Sequence, residues 1–445
     1  MPCQDIGVSW PYAVQLAVMR PWLIGAIGSI AAGLITGVAA TGQFAEVSPD
    51  LVREPSLQYF TGPTTDAVAR LKGDLQRGAA HLTFDDTQGY LPSILEALHL
   101  PGESQLLIFS KTSVQSRFIN PRNPRALYFN DALTVGYIPG ADYLEFAAAD
   151  PQQGVIFYTL DQRRADQPTI DRRDFCLSCH YANATLDVPG VLVRSVAATA
   201  TGNPAPRLAN YVSDHRSPFV ERWAGHYVTG RHGAMKHLGN ATYASGSDPE
   251  ALTAGETMNV QSVSERFNAA RYVSPHSDIV ALLVFEHQMR MTNLLTRIGW
   301  DTRVALHAGR PDAAAIIAGA AIEVVDYLLF VEETPLPDRV TGSSGFEQKF
   351  SAEGPIDRRG RSLRQLDLST RLLKYPCSYM IYADAFDALP VQARDAIYRR
   401  LWDVLSRRET GPKYARLSLA DRRAIVEILC DTKPTLPDYF QPIEH

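Results

Sequence analysis

The chain has 445 residues, 45% of them hydrophobic and 20% charged, and this composition excludes a disordered tail, a collagen-like fibre and a protein with many membrane spans. The formal net charge of −5 leaves no basic excess to follow a phosphate backbone, so no nucleic-acid partner is expected. The five cysteines are an odd number, and a chain of this length buries a sizeable core without disulfides.

An apolar segment lies close to the N-terminus. Residues 22–40 follow Arg20, carry no charge and end in small residues, which is typical of a secretory signal peptide. With 19 residues, the segment is also nearly long enough to span a bilayer, so a retained anchor stays open. We therefore predict that residues 1–42 are a signal peptide or an inner-membrane anchor. The rest of the chain is then periplasmic or faces the periplasm, and it touches the membrane only through this segment.

Residues 57–160 form a β-rich N-terminal part in this prediction. Two short helices come first, Ala67–Arg77 and Pro92–Leu98. Short runs of β-branched and aromatic residues follow, separated by turn dipeptides such as Pro139-Gly140, and this spacing predicts an antiparallel meander. The runs are Gln105–Ser110, Ala126–Phe129, Thr134–Ile138, Tyr143–Ala147 and Val155–Leu160.

The remainder divides into a loop-rich middle, residues 161–275, and a helical C-terminal part, residues 276–445. One hairpin is predicted in the middle, pairing Val191–Ala197 with Arg207–Val212. Residues 333–362 are predicted to form a polar excursion, that is, an irregular segment between two helices. Helices are predicted at Asp278–Ile298, Pro311–Phe330, Ala383–Ala388, Pro390–Ser406 and Ser418–Leu429. This order predicts an α+β fold in which residues 57–445 form one interwoven unit.

The pentapeptide Cys176-Leu177-Ser178-Cys179-His180 is a C-x-x-C-H motif. Two thiols at this spacing can form thioethers with the two vinyl groups of a haem, and the adjacent histidine then binds the iron from one side. We therefore predict one covalently attached haem c, held by Cys176 and Cys179, with His180 as the proximal iron ligand. Attachment of this kind takes place outside the cytoplasm, in agreement with the N-terminal segment.

Two other interpretations of the motif fit the sequence less well. A thioredoxin-like redox pair would need a strand before it and a helix after it, whereas residues 169–174 are polar and residues 183–190 are turn-like. A zinc site would need two further ligands nearby at metal spacing, such as a second C-x-x-C pair, and the sequence has none. Covalent haem attachment is the favoured interpretation.

The motif belongs to a set of segments spread along the chain, which are Ser110–Ser113, Asn123–Asn130, Cys176–His180, Val188–Gly190, Val193–Ser195, Asp214–Pro218, Glu221–Trp223, Tyr227–Gly230, His232–Gly233, His237 and Glu286–Gln288. Together these segments resemble a largely uncharacterised bacterial family of secreted or membrane-anchored proteins with a cytochrome c-type haem motif. The resemblance covers most of residues 57–440, and it implies haem binding and electron transfer without indicating a substrate.

The second axial ligand of the iron decides between electron transfer and small-molecule chemistry. His287 lies on the apolar face of a predicted helix, four residues before Met291, where a buried imidazole needs a partner. His237 lies with His232 in a glycine-flanked loop, where a side chain can reach water. His237 and His287 are therefore alternative candidates for the distal ligand, with Met235 as a weaker option.

Haem propionates need cationic partners, and the loop-rich region contains four arginines that could serve. Any one of them is more typical of an ordinary surface residue. They are Arg194, Arg207, Arg222 and Arg231.

We predict a mono-haem c-type cytochrome that exchanges electrons with a redox partner protein or a small-molecule donor or acceptor. The roughly 400 residues beyond position 42 far exceed the size of a small haem carrier, which favours added binding surface or catalysis. Two alternatives therefore stay open. One is a haem redox enzyme with open or weakly ligated iron, peroxidase-like or acting on a small inorganic substrate. The other is a non-enzymatic haem sensor.

Overall fold

A computed structural model describes residues 51–244 and 255–443 of the chain. The predicted signal or anchor segment, residues 1–42, lies outside the described residues. Helix α1 is Ala67–Gln76, and it begins at Asp66, whose carboxylate accepts hydrogen bonds from two backbone amides of the first turn. Helix α2 is Leu91–Ala97, with a proline in its first turn. Both helices agree with the prediction to within one residue at each end.

A six-stranded antiparallel meander follows, in which every strand pairs with its neighbour in sequence. The five predicted strands are present, and the prediction missed the sixth. That strand spans three residues, two of them charged, so it lacks a hydrophobic pattern. The strands are β1 Leu106–Ile108, β2 Arg125–Phe129, β3 Leu133–Tyr137, β4 Tyr143–Asp150, β5 Gly154–Asp161 and β6 Ile170–Arg172.

The two faces of this sheet differ in what covers them. Residues such as Tyr128, Phe146 and Tyr158 form one hydrophobic core with α1 and α2. Along β4 buried and half-buried residues alternate, as expected for side chains that point to opposite faces. The second face carries Glu145 and, on β5, Phe157, whose ring contacts His180 of the C-x-x-C-H segment. The C-x-x-C-H segment therefore packs on this second face of the sheet.

The middle of the chain is mostly irregular, as predicted. The C-x-x-C-H segment ends in helix α3, Leu177–His180, a single turn. The predicted hairpin is present but shorter, with β7 at Val193–Val196 and β8 at Asn210–Ser213.

The C-terminal half is helical, and its centre is α4, Ile279–His307, of which 23 of 29 residues are buried. It packs against α5, and α5 packs against α8. The prediction missed α6, which lies in the polar excursion and buries Phe346 and Phe350 in the same hydrophobic core as α4. The remaining helices are α5 Ala313–Leu328, α6 Phe346–Ala352, α7 Asp384–Asp387, α8 Val391–Leu405 and α9 Leu419–Thr432.

The meander and the helical half confirm the predicted α+β fold class. The described residues, 51–244 and 255–443, belong to one compact unit. Among the described helices, none combines the length and the apolar character of a membrane span.

Candidate functional site

The C-x-x-C-H segment forms a helical turn directly after β6. Residues Asp174–Cys176 make a 3-10 turn that continues into α3. Cys179 is exposed, Cys176 is partly buried, and both thiols are free. Residues three apart on a helical turn lie on the same side of it, so the two thiols can reach one planar partner.

His180 is held by the loop that follows it. Its Nδ1 lies 2.9 Å from the carbonyl oxygen of Gly190, to which it donates as an N–H. Metal-binding histidines usually donate one ring nitrogen to a carbonyl or carboxylate in this way, because the bond fixes the ring and leaves the other nitrogen for the metal. Burial lowers the pKa of His180, which favours the neutral imidazole. The side chain therefore fits the role of an iron ligand through Nε2.

The loop that presents the Gly190 carbonyl is anchored to α4. Asn293 accepts a hydrogen bond from the Val191 amide at 3.0 Å and donates one to the Val191 carbonyl at 2.7 Å. A Cβ atom at position 190 would lie 2.3 Å from Asn293 Oδ1, so only glycine fits there. The hydroxyl of Thr185 closes the same loop by donating to the carbonyl of Val188 at 2.9 Å. The orientation of His180 thus depends on a helix more than 100 residues away in sequence.

The surroundings of Cys176 differ from those of a reactive redox thiol. Burial raises the pKa of Cys176 to about 11, and the Glu145 carboxylate adds to the effect. Thioredoxin-like pairs instead lower the pKa of the attacking thiol. Within the described residues, no group of three or more His, Cys, Asp and Glu side chains is placed to hold a metal ion.

His287 is fully buried in α4, and both of its ring nitrogens have protein partners. Nδ1 lies 2.8 Å from Nδ1 of His215, and Nε2 lies 2.7 Å from the hydroxyl oxygen of Ser378. The ring also stacks on Phe330 with 4.3 Å between centroids. To bind iron, His287 would have to give up one of these hydrogen bonds. Its role as distal ligand stays a prediction.

His237 does not reach water, contrary to the expectation from its loop position, because its side chain is completely buried. Its Nδ1 accepts a hydrogen bond from the Gly239 amide at 3.0 Å, and its Nε2 lies 3.3 Å from Nε2 of His232. The loop folds onto Trp223, whose ring packs against His237 at 5.3 Å. Met235 is buried as well. For His237 too, the role of iron ligand stays a prediction.

A buried polar cluster around His287 was not predicted. Arg222 and Glu286 form a fully buried ion pair at 2.8 Å, and burial raises the pKa of Glu286 to about 7. His215 stacks on Tyr327 with 4.1 Å between centroids. Apart from Tyr327, these residues come from Asp214–Pro218, Glu221–Trp223 and Glu286–Gln288, so the segments quoted for the family resemblance were the available signal. That they meet in space is a result of the fold.

Comparisons with known proteins provide no independent guide to this site. The chain was compared with protein-family models, with curated proteins and with solved structures, and nothing matched in any of the three. Function therefore has to be inferred from the side chains of this chain alone.

Proposed function

We propose that this protein is a mono-haem c-type cytochrome that transfers electrons outside the cytoplasm. Cys176 and Cys179 would hold haem c through thioethers, and His180 would bind its iron. The observation that carries the proposal is the C-x-x-C-H turn in which His180 Nδ1 is engaged by the Gly190 carbonyl. Among the described residues Nε2 of His180 has no hydrogen-bond partner, which suits an iron ligand.

Haem supplies reversible one-electron chemistry at its iron, and the protein sets the ligands and their surroundings. Gly190 and Asn293 fix the plane of the His180 ring. Phe157 packs against that ring with 4.8 Å between centroids and excludes water from one side of it. These contacts hold the ligand in one orientation, which keeps reorganisation on electron transfer small.

The partner in this proposal is a redox protein or a small-molecule electron donor or acceptor. Phe175, beside the motif, is 51% exposed, and Cys179 is exposed too. The attachment turn thus opens to the surface, where a haem edge would be within reach of a partner. The N-terminal segment, residues 22–40, would place the domain in the periplasm or anchor it facing that compartment.

A haem redox enzyme with an open iron is the second candidate function. One observation favours it: both nitrogens of His287 and both nitrogens of His237 have partners in the described structure. If neither histidine leaves its partners, the distal position is open or held by a weaker ligand, and a small molecule can bind there.

Haem staining of a denaturing gel tests the attachment. Protein made in cells with c-type maturation machinery should stain, and the Cys176→Ala, Cys179→Ala double variant should not. The matched control is Cys430→Ala, which removes an exposed thiol far along the chain and should leave the stain intact. A wild-type band without covalent haem would refute the proposal. Deletion of residues 1–40 should leave unstained protein in the cytoplasm.

Optical spectra then separate the two candidate functions. A low-spin spectrum that cyanide and carbon monoxide leave unchanged supports an electron carrier with two protein ligands. A high-spin ferric spectrum that shifts at once on adding cyanide supports the enzyme. His180→Ala should disturb the spectrum in either case, because it removes the proximal ligand.

A further inference from the structure

Arg125 and Glu145 lie on the side of the sheet that the C-x-x-C-H turn covers. Arg125 is the first residue of β2, and Glu145 lies in β4. Phe157 of β5, whose ring contacts His180, is opposite Ala147 of β4 in the strand register, two residues from Glu145 and on the same face of the sheet. Glu145, and Arg125 beside it, therefore lie on the face against which His180 packs.

The guanidinium of Arg125 has unused hydrogen-bond donors. Among the described residues its one ion pair joins Nη1 to Glu145 Oε2 at 3.6 Å, which is too long for a hydrogen bond. Its Nε is buried and has no hydrogen-bond partner. Buried donors are nearly always satisfied in native proteins, so this arrangement calls for an acceptor. The side chain remains 17% exposed, which leaves it accessible.

Glu145 does not satisfy this donor, because Arg125 Nε has no hydrogen-bond partner among the described residues and one carboxylate oxygen is bonded elsewhere. Its Oε1 accepts a hydrogen bond from the hydroxyl of Ser113 at 2.8 Å. Gly136 is opposite Glu145 in the strand register, and a Cβ atom there would lie 3.3 Å from Oε2. The glycine thus leaves space beside the carboxylate, and the Arg125 head lies next to it without closing onto it.

The four arginines that the sequence offers only as candidate propionate partners have different surroundings. Arg222 is bonded to Glu286 and to two backbone carbonyl oxygens. The other three are exposed, namely Arg194, Arg207 and Arg231.

We propose that Arg125 binds a propionate carboxylate of the haem attached at Cys176 and Cys179. This inference rests on the function proposed above and adds a residue that positions the haem. The planar guanidinium offers paired N–H donors that match a carboxylate, and a propionate oxygen would satisfy the orphaned Nε. No covalent bond forms or breaks, because the step is ion pairing alone.

Three variants of the haem-loaded protein test this contact. Arg125→Gln removes both the positive charge and the paired N–H donors of the guanidinium. Arg125→Lys keeps the positive charge but lacks the paired donors. Arg117→Gln is the control, since it also removes one positive charge but from a side chain that is 70% exposed and paired with Asp142. The readouts are the propionate bending bands in the resonance Raman spectrum and the midpoint potential.

The propionate bands should shift in Arg125→Gln and stay in place in Arg117→Gln. The midpoint potential should fall in Arg125→Gln, because loss of a nearby cation favours the oxidised haem. In Arg125→Lys the bands should shift while the potential stays near that of the wild type. If Arg125→Gln does not fold, the bands of the lysine variant decide.

Unshifted bands in the Arg125 variants would overturn the inference, and covalent haem in the same samples would leave the proposed function standing. If the wild-type protein carries no covalent haem, both the proposed function and this inference are refuted.

Discussion

Replacing His287 by alanine should strongly destabilise the protein. The ring is completely buried in the N-terminal third of α4, between Phe330 and Tyr327, with 5.1 Å between the His287 and Tyr327 centroids. It is also the hydrogen-bond partner of His215 and Ser378. The substitution therefore leaves a cavity, a buried His215 Nδ1 without a partner, and a Ser378 hydroxyl that keeps only the hydrogen bond from the Met380 amide.

The unpartnered His215 nitrogen costs about 1–3 kcal/mol, the hydrogen bond that Ser378 loses costs about 0.5–1.5 kcal/mol, and the lost packing of a large buried side chain adds about 2–5 kcal/mol. The terms overlap, because His215 and Ser378 can move into the cavity, so we expect a total of about 4–6 kcal/mol. That is a large part of the free energy of unfolding of a typical domain, about 5–15 kcal/mol. His287→Phe keeps the stacking and loses only the hydrogen bonds, so it should cost about 2–4 kcal/mol.

Urea denaturation of the purified protein, followed by circular dichroism, measures these differences. The control is His307→Ala at the exposed end of the same helix, which should change the free energy of unfolding by less than about 0.5 kcal/mol. A His287→Ala variant as stable as the control would refute this account of the cluster. A low-spin haem spectrum that became high-spin in that variant, with stability unchanged, would assign His287 to the iron instead.

Three further predictions concern stability. Asp66→Ala removes the cap of α1 and an acceptor for Tyr158, and should cost about 1–3 kcal/mol in urea denaturation, against less than about 0.5 for Asp74→Ala, whose side chain is 44% exposed. Burial lowers the pKa of His226 to about 4, so the unfolded chain binds a proton that the native protein does not as the pH falls below about 6.5. The free energy of unfolding therefore decreases as the pH is lowered from about 6.5 to 4. His226→Gln should reduce the slope of the free energy of unfolding against pH by about 1.4 kcal/mol per pH unit, measured by denaturation at stepped pH. Burial raises the pKa of Glu286 to about 7, so the native state takes up this proton first on acidification from pH 7 to 4.5, which stabilises it. Glu286→Gln should lose stability more steeply than the wild type across that window, and equal slopes would contradict the assignment.

Regular elements with a strong local pattern could be predicted from the sequence. The five longer or more apolar strands and most helices follow from alternation, helical spacing and caps, and α9 begins at the Ser418 capping box that the sequence indicates. The missed elements, β6, α3 and α6, are short, and neighbouring segments stabilise them. Phe346 of α6 illustrates this, because it packs on Phe129 of the sheet at 5.6 Å.

The sequence by itself determined the α+β class and identified the C-x-x-C-H motif, because alternation, caps and motif spacing involve residues within a few positions of one another. Only the tertiary structure decided what each histidine contacts. His180 is bonded to Gly190 in a loop anchored by Asn293, and His287 is bonded to Ser378, 91 residues away. The burial of His237 has the same origin. Such partners depend on how distant segments pack, and a buried polar group must find whichever partner the packing provides.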